Sequence, residues 1–294
     1  MTNPVNKAQV LIETLPYIQK FAGKTVVIKY GGNAMVSEEL KHSVIQDIIL
    51  MQCLGMKPVV VHGGGPEITG YLKKLGKETE FVSGLRVTDA ETMNVAEMVL
   101  VGKLNSEIVR LFNQNGAKAV GLSGKDGSLI QARKHLAEVH ENGKVSKVDI
   151  GFVGDVANVQ TELIGHLLDK GYIPVIAPVG EGDDYASYNI NADYVAGEIA
   201  GALKAEKLLL LTDVEGIYTD YQDKSSFIST LTVGQAKKMI AGGSIAGGMI
   251  PKVEACLRAL SGGAKKTHII DGRQSHSLLL EVFTTEGIGT EVVG

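Results

Sequence analysis

The sequence predicts an α/β protein built on a mostly parallel sheet with helices on both faces. Short runs rich in Val, Ile or Leu alternate with longer helical patterns along nearly the whole chain, the order that parallel sheets require. Several of those runs carry no charge, as strands buried on both faces should. Glycine, 36 of 294 residues, gathers where strand runs pass into helical ones, which points to tight turns and close backbone approaches.

The elements follow in order. Ahead of the first strand, Val5, Ala8, Leu11, Ile12, Leu15, Ile18 and Phe21 recur at helical spacing, with Pro16 expected to kink the helix. That apolar stripe packs either on its own domain or against another subunit, and periodicity alone leaves both readings open. Strands are expected at Thr25–Tyr30, Pro58–His62, Ala119–Leu122, Ile173–Ala177, Lys207–Thr212 and Thr267–Ile270. Helices are expected at Glu38–Leu54, Glu67–Leu75, Ala90–Asn113, Leu163–Lys170, Ala192–Leu203 and Pro251–Leu260. From Lys134 to Val159 the pattern turns polar and β-branched, which reads as antiparallel hairpins with turns at Glu141–Gly143 and Gly151.

Composition narrows the function classes. The net charge is −4 and no run of lysine or arginine stands out, which argues against nucleic acid or an anionic membrane as the main partner. Two cysteines, Cys53 and Cys256, sit apart in helical patterns, so a disulfide framework or a metal site is not expected. No uncharged apolar run reaches the ~18 residues of a membrane span. Lys7, Glu13, Pro16 and Lys20 interrupt any signal-peptide core, so a cytoplasmic protein is expected.

Three glycine clusters mark candidate chemistry: Lys29-Tyr30-Gly31-Gly32-Asn33-Ala34, His62-Gly63-Gly64-Gly65-Pro66 and Ser123-Gly124-Lys125-Asp126-Gly127. A strand that turns sharply into a helix leaves backbone N–H groups pointing into one crevice, a ready anion site. In an open parallel sheet such junctions share the carboxyl edge where ligands bind. The P-loop pattern and the dinucleotide-binding G-x-G-x-x-G are both absent, as are H-E-x-x-H and C-x-x-C. Hydrolysis through a protein nucleophile or a tightly held zinc is therefore disfavoured.

Charged residues in unusual settings add to this. Lys29 ends an apolar strand, where it must find a counter-charge or a ligand. Arg86, in Ser83-Gly84-Leu85-Arg86-Val87-Thr88-Asp89, reads either as an exposed loop residue or as a fork for a substrate carboxylate. Asn189, Asn191 and Asp193 crowd a helix start where one cap would suffice. Lys252 follows Gly247-Gly248-Met249-Ile250-Pro251 at a helix N-terminus, against the macrodipole. Thr212-Asp213-Val214-Glu215-Gly216-Ile217-Tyr218 ends a strand with a carboxylate and a turn, which also fits ordinary turn chemistry. His62 reads as a packing or loop-holding residue rather than a catalytic base.

Together these stretches resemble the amino acid kinase family, from the first strand to the C-terminus. Gly84–Thr88, Asn189–Asp193 and Gly248–Lys252 are the more specific matches, and they resemble the branch that phosphorylates N-acetyl-L-glutamate in arginine biosynthesis. The resemblance implies a three-layer α/β/α sandwich in two lobes: residues 1–24 as an oligomerisation arm, 25–190 for the acetylamino acid and 191–294 for ATP. It implies that Lys29 and Lys252 stabilise the transferring phosphoryl group, with Asp193 holding both ammonium groups. Gly64, Gly65, Arg86, Asn189 and Asn191 would bind acetylglutamate. Gly31, Gly32, Thr212, Asp213, Gly216, Tyr218, Gly248 and Met249 would border ATP, whose Mg2+ travels on the nucleotide, with no metal bound by the protein itself.

Arginine-inhibited members of the family are similar in carrying a kinked N-terminal helix that joins dimers into a hexamer. The stretch His268–Arg273 and the segment Leu278–Thr284 also resemble that group. The resemblance thus implies L-arginine as inhibitor, with Tyr17, His268 and Glu281 as contributors. The plainer alternatives for these three are core packing, a strand terminus and an exposed helix face. A PII-type signalling protein is left open as a further partner. The competing readings are another carboxylate kinase of the same superfamily, or a catalytically inactive regulator that binds nucleotide or arginine.

Overall fold

A computed structural model describes residues 4–35, 37–141, 144–285 and 287–294. In chain order, α1 (Pro4–Phe21) precedes β1 (Thr25–Tyr30), α2 (Glu38–Cys53), β2 (Lys57–His62) and α3 (Gly65–Lys74). A short hairpin, β3 (Phe81–Val82) and β4 (Leu85–Arg86), leads to α4 (Ala90–Glu97), a π-helical turn (Met98–Leu104) and α5 (Asn105–Gln114). Next come β5 (Ala119–Ser123), β6 (Ile130–Glu141), β7 (Lys144–Val159), α6 (Glu162–Asp169), β8 (Ile173–Ala177), β9 (Val179–Gly182) and β10 (Ser187–Ile190). The C-terminal part comprises α7 (Ala192–Ala202), β11 (Lys207–Thr212), β12 (Ile217–Tyr218), β13 (Phe227–Ile228), β14 (Thr230–Thr232) and α8 (Val233–Ala241). It ends with α9 (Met249–Gly262), β15 (Lys266–Asp271), α10 (Ser277–Phe283) and β16 (Thr290–Val293).

The described residues form an eight-stranded sheet in the order β14-β16-β15-β11-β1-β2-β8-β5. Every pairing in it is parallel except β15 with β16. Alternate side chains of the central strands feed two separate cores. Val26, Ile28, Val60, Leu209 and Leu211 pack with α2, α3, α5 and α10 on one face. Val27, Val59, Val61, Leu208 and Leu210 pack with α6, α7 and α9 on the other. This is the three-layer sandwich, and it explains why these strands are apolar on both faces. Chain order reverses at β1, which lies between β2 and β11, so the carboxyl end of β1 opens on a topological switch point.

Some sequence expectations need correction. The segment from Lys134 to Val159 is one long antiparallel hairpin, β6 with β7, joined by β9 and β10 into a small closed barrel. Gly151 is not a turn between strands: it lies inside β7 at φ +83°, where a Cβ would stand 2.2 Å from the Thr88 carbonyl oxygen. Residues 142 and 143 of the expected turn Glu141–Gly143 lie outside the described residues. The helix expected over Ala90–Asn113 is interrupted by the π-helical turn, whose extra residue redirects side chains. Pro16, where the sequence expects a kink, lies inside α1. Val10, Leu11, Ile12 and Leu15 on it are exposed, while Tyr17, Ile18 and Phe21 pack on the core; the side chain of Val5 lies outside those described. Cys53 and Cys256 are both free thiols, and no helix of the described residues is long and apolar enough to cross a membrane.

Two helices that frame the site pack through small residues. A Cβ on Gly197 of α7 would stand 2.5 Å from the Ala255 carbonyl oxygen of α9, and one on Gly262 would stand 2.7 Å from the Gly201 Cα. Only glycine allows this approach, which sets the starts of α7 and α9 side by side. Gly197→Val is expected to destabilise the fold by about 1–3 kcal/mol through overpacking. Chemical denaturation measures this, and an unchanged midpoint would contradict the tight contact.

Candidate active site

The carboxylate of Asp193 sits at the N-terminus of α7 and is 5% exposed. Lys29 Nζ, from the end of β1, lies 2.9 Å from its Oδ1, and Lys252 Nζ, from the first turn of α9, lies 3.0 Å from its Oδ2. Burial pushes the Asp193 carboxyl up, but the two ammonium groups outweigh it and hold the pKa at about 2. Lys29 thereby finds the counter-charge that an apolar strand end demands, and Lys252 offsets its unfavourable place at a helix start. The formal charges leave one positive charge in excess where two cavities meet.

The first cavity, of about 250 Å³, is lined by Lys29, Gly32, Gly63, Gly64, Gly65, Arg86, Asn189, Asn191 and Asp193 among others. Arg86 is not an exposed loop arginine but 8% exposed on β4. Its Nη2 donates to the Gly65 carbonyl and to Thr69 Oγ1, both at 2.9 Å. Its buried Nη1 has no hydrogen-bond partner, and burial lowers the guanidinium pKa. A cationic donor left open in a cavity suits a carboxylate ligand. Asn191 does cap α7, its Oδ1 accepting from the Asp193 N–H at 2.8 Å, and it also lines the first cavity. A Cβ on Gly31 would meet Lys29 Nζ at 3.2 Å and the Gly63 nitrogen at 3.4 Å. The side chains of Asn33 and Ala34 lie outside those described.

The second cavity, of about 440 Å³, is lined by Thr212, Asp213, Gly216, Tyr218, Tyr221, Ile245, Gly248, Met249 and Lys252 among others. Gly248 precedes α9 with no side-chain cap; the first N–H groups of that helix, those of Met249 and Ile250, donate to the Ala246 and Gly247 carbonyls at 3.2 Å. Tyr218 is buried; its hydroxyl donates to Glu215, and Tyr221 meets it edge-on at 5.6 Å between ring centroids. Gly32, expected to border ATP, lines the first cavity beside Lys29.

The third glycine cluster lies elsewhere. It follows β5 at the edge of the sheet, where Gly124 packs against the Val179 carbonyl. Lys125, the lysine that made it suggestive, pairs with Glu97 at 2.7 Å and donates to Ser187 at 3.0 Å. His62 is fully buried, with a pKa pushed down to about 4 by burial.

A third cavity brings together Tyr17, His268 and Glu281, with Lys20, Lys207 and Glu291. His268 lies within β15 rather than at its end, and Glu281 is buried rather than on an exposed helix face. His268 Nδ1 lies 2.7 Å from Glu281 Oε1, and its Nε2 lies 3.0 Å from Lys207 Nζ. Tyr17 does pack on the core. Sequence reasoning missed Lys207, although a lysine opening an apolar strand is the mirror of the Lys29 signal. It also missed Thr69, which supports Arg86, and Leu100, which the π-helical turn brings to the first cavity.

The sequence pattern of the amino acid kinase family matches residues 24–271. The acetylglutamate kinase of Moorella thermoacetica is 60% identical over 99% of this chain and 98% of its own length. That of Heliobacterium modesticaldum is 60% identical over the whole of both chains. Among solved structures, N-acetylglutamate synthase from Neisseria gonorrhoeae, complexed with coenzyme A and N-acetyl-glutamate, superposes with a TM-score of 0.83 at 25% identity, covering 98% of this chain and 63% of that one. With the two-cavity geometry, these likenesses place the chain: it belongs to the amino acid kinase family and, within it, to the acetylglutamate kinases.

Proposed function

We propose that the chain transfers the γ-phosphoryl group of ATP to the γ-carboxylate of N-acetyl-L-glutamate, giving N-acetylglutamyl 5-phosphate for arginine biosynthesis. The observation that carries the mechanism is the buried Lys29–Asp193–Lys252 link between a cavity with an unpaired arginine nitrogen and a cavity lined by Gly248, Met249 and Lys252.

The acceptor is ionised at neutral pH, its carboxyl pKa being near 4.3 in the unperturbed state. No general base is needed. The task is to bring two anions into line and to neutralise charge on the equatorial and leaving oxygens. Lys29 reaches the acceptor side and Lys252 the donor side, while Asp193 keeps both ammonium groups from swinging into solvent. Arg86 grips the α-carboxylate of the acceptor, and Asn189 with the Gly64 and Gly65 N–H groups completes its binding. Thr212, Asp213, Gly216, Tyr218, Gly248 and Met249 border the nucleotide, which assigns residues 25–190 to the acceptor and 191–294 to ATP. Among the described residues no group of three His, Cys, Asp or Glu side chains could hold a metal ion. A Mg2+ carried on the nucleotide phosphates, with Asp213 as the carboxylate facing that cavity, would supply further charge neutralisation.

The third cavity supports a regulatory site for L-arginine. Glu281 and Glu291 offer carboxylates to a guanidinium, and Lys20, Lys207 and Lys266 offer ammonium groups to a carboxylate. Tyr17, Lys20 and Phe21 come from α1, whose exposed Val10, Leu11, Ile12 and Leu15 suit a second copy of the chain. Dimers joined through these helices into a hexamer would couple assembly to inhibition.

Trapping acyl phosphate with hydroxylamine, in the presence of Mg-ATP, tests the main reading. A hydroxamate formed from N-acetylglutamate but not from glutamate or aspartate is expected. Product from another acceptor would overturn the roles of Arg86 and Asn189, and no product from any acceptor would favour a non-catalytic regulator. Deleting residues 1–20 is expected to convert hexamers to dimers in size-exclusion chromatography and to blunt arginine inhibition. Retention of both would refute the arm.

A further inference from the structure

The peptide between Gly63 and Gly64 is held from behind. Gly63 donates its N–H to the Tyr30 carbonyl at 2.8 Å, and its carbonyl oxygen lies 2.9 Å from His62 Nδ1. A carbonyl only accepts, so Nδ1 carries the ring proton. His62 Nε2 must then accept, and Asn105 Nδ2 lies 3.2 Å from it. Asn105 Nδ2 also donates to the Val175 carbonyl at 2.9 Å, which independently fixes that atom as the amide nitrogen. Asn105 Oδ1 in turn occupies the place where a Cβ on residue 121 would stand, 1.9 Å away, so Gly121 is the residue that makes room for it. Four elements, β2, α5, β5 and β8, thus determine one tautomer of one histidine.

In a trans peptide the N–H of residue 64 points opposite to the carbonyl of residue 63. His62 is fully buried, Gly63, Gly64 and Gly65 line the first cavity, and the Gly64 N–H points away from the carbonyl that His62 holds. On the front side, Gly64 packs so closely under Leu100 and Leu104 that a Cβ would meet them at 2.7 and 2.5 Å. The peptide is therefore clamped between the histidine and the π-helical turn.

We infer that His62, oriented by Asn105, is a positioning residue for the transfer step: by fixing the Gly63 carbonyl it aims the Gly64 N–H at the charge that develops in the first cavity. This rests on the reading of that cavity as the acceptor site. Burial holds the imidazole neutral, with its pKa near 4. A second ring proton at Nε2 would face the Asn105 amide protons, donor against donor. The histidine next to the phosphoryl-transfer site thus acts without taking or giving a proton. An aimed backbone donor acts on developing charge rather than on ground-state binding, so its loss should appear in kcat.

The test compares three variants with the parent enzyme in the hydroxamate assay. Asparagine carries an amide nitrogen close to the place of Nδ1, glutamine carries one close to the place of Nε2, and leucine carries neither. His62→Leu is expected to lose about 10²-fold or more in kcat. Its KM for both substrates should stay within about threefold of the parent. His62→Asn should recover much of that loss and His62→Gln little. If His62→Leu fails to fold, the Asn and Gln variants decide alone. A crystal structure of the His62→Leu or His62→Gln protein should show the Gly63–Gly64 peptide turned from its parent orientation, a readout independent of which acceptor is used. A leucine variant that turns over like the parent, Asn and Gln variants of equal kcat, or an unmoved peptide would each overturn the inference. If the parent itself forms no acyl phosphate, the acceptor reading fails, and the peptide orientation still decides whether His62 positions Gly64.

Discussion

A buried carboxylate shared by two lysines organises this molecule. Asp193 is almost out of water, and neither Lys29 nor Lys252 can leave it without exposing an unpaired charge in the interior. Removing one member of such a buried cluster typically costs about 3–5 kcal/mol. Its geometry requires β1 to end beside the starts of α7 and α9. The glycine contacts between those helices and the place of β1 at the reversal of strand order are what make that possible. With two ammonium groups against one carboxylate, the cluster leaves one positive charge in excess between the two cavities, the first of which also holds the unpaired Arg86 Nη1.

The chemistry follows from that point. Because the acceptor carboxylate is ionised already, the enzyme has no proton to remove, and Asp193, the buried acid that lines the first cavity, is held by Lys29 and Lys252. His62, the side chain that most invites a catalytic reading, has both ring nitrogens committed to Gly63 and Asn105. What remains in the proposed transfer is alignment and charge neutralisation, for which Lys29, Lys252 and the unpaired Arg86 Nη1 are the candidates. Gly64, one of the glycines that line the first cavity, lets Leu100 and Leu104 come where a Cβ would stand 2.7 and 2.5 Å from them.

Much of this was legible in the sequence. The six main strands sit within a residue of their expected bounds, because strands buried on both faces are written as unbroken apolar runs. Lys29 and Lys252 stood out because each breaks a local rule that only a partner can repair, and Asp193 because it crowds a helix start with Asn189 and Asn191 where one cap would suffice. Other features were hidden for physical reasons. A π-helical turn shares the apolar pattern of an α-helix, so the change of direction at Met98–Leu104 leaves no mark. Gly151 looks like a turn because its left-handed φ and its close approach to Thr88 demand the same residue that a turn does. The third glycine cluster misled because sequence shows the strand-to-turn junction but not that it lies at the sheet edge, nor that Glu97 already occupies Lys125. His268 and Glu281 show the converse: two residues with unremarkable local contexts become a buried pair only through the packing of α10 on β15.

The most direct measurement is the turnover of Asp193→Asn, with ATP affinity and the thermal midpoint followed in parallel. The change keeps the shape and removes the charge that holds both lysines. The account expects kcat to fall about 10²–10³-fold, as when a transition-state charge stabiliser is misplaced, while the folded protein still binds ATP. A folded Asp193→Asn protein whose kcat matches the parent would contradict the claim that one buried carboxylate positions both lysines for phosphoryl transfer.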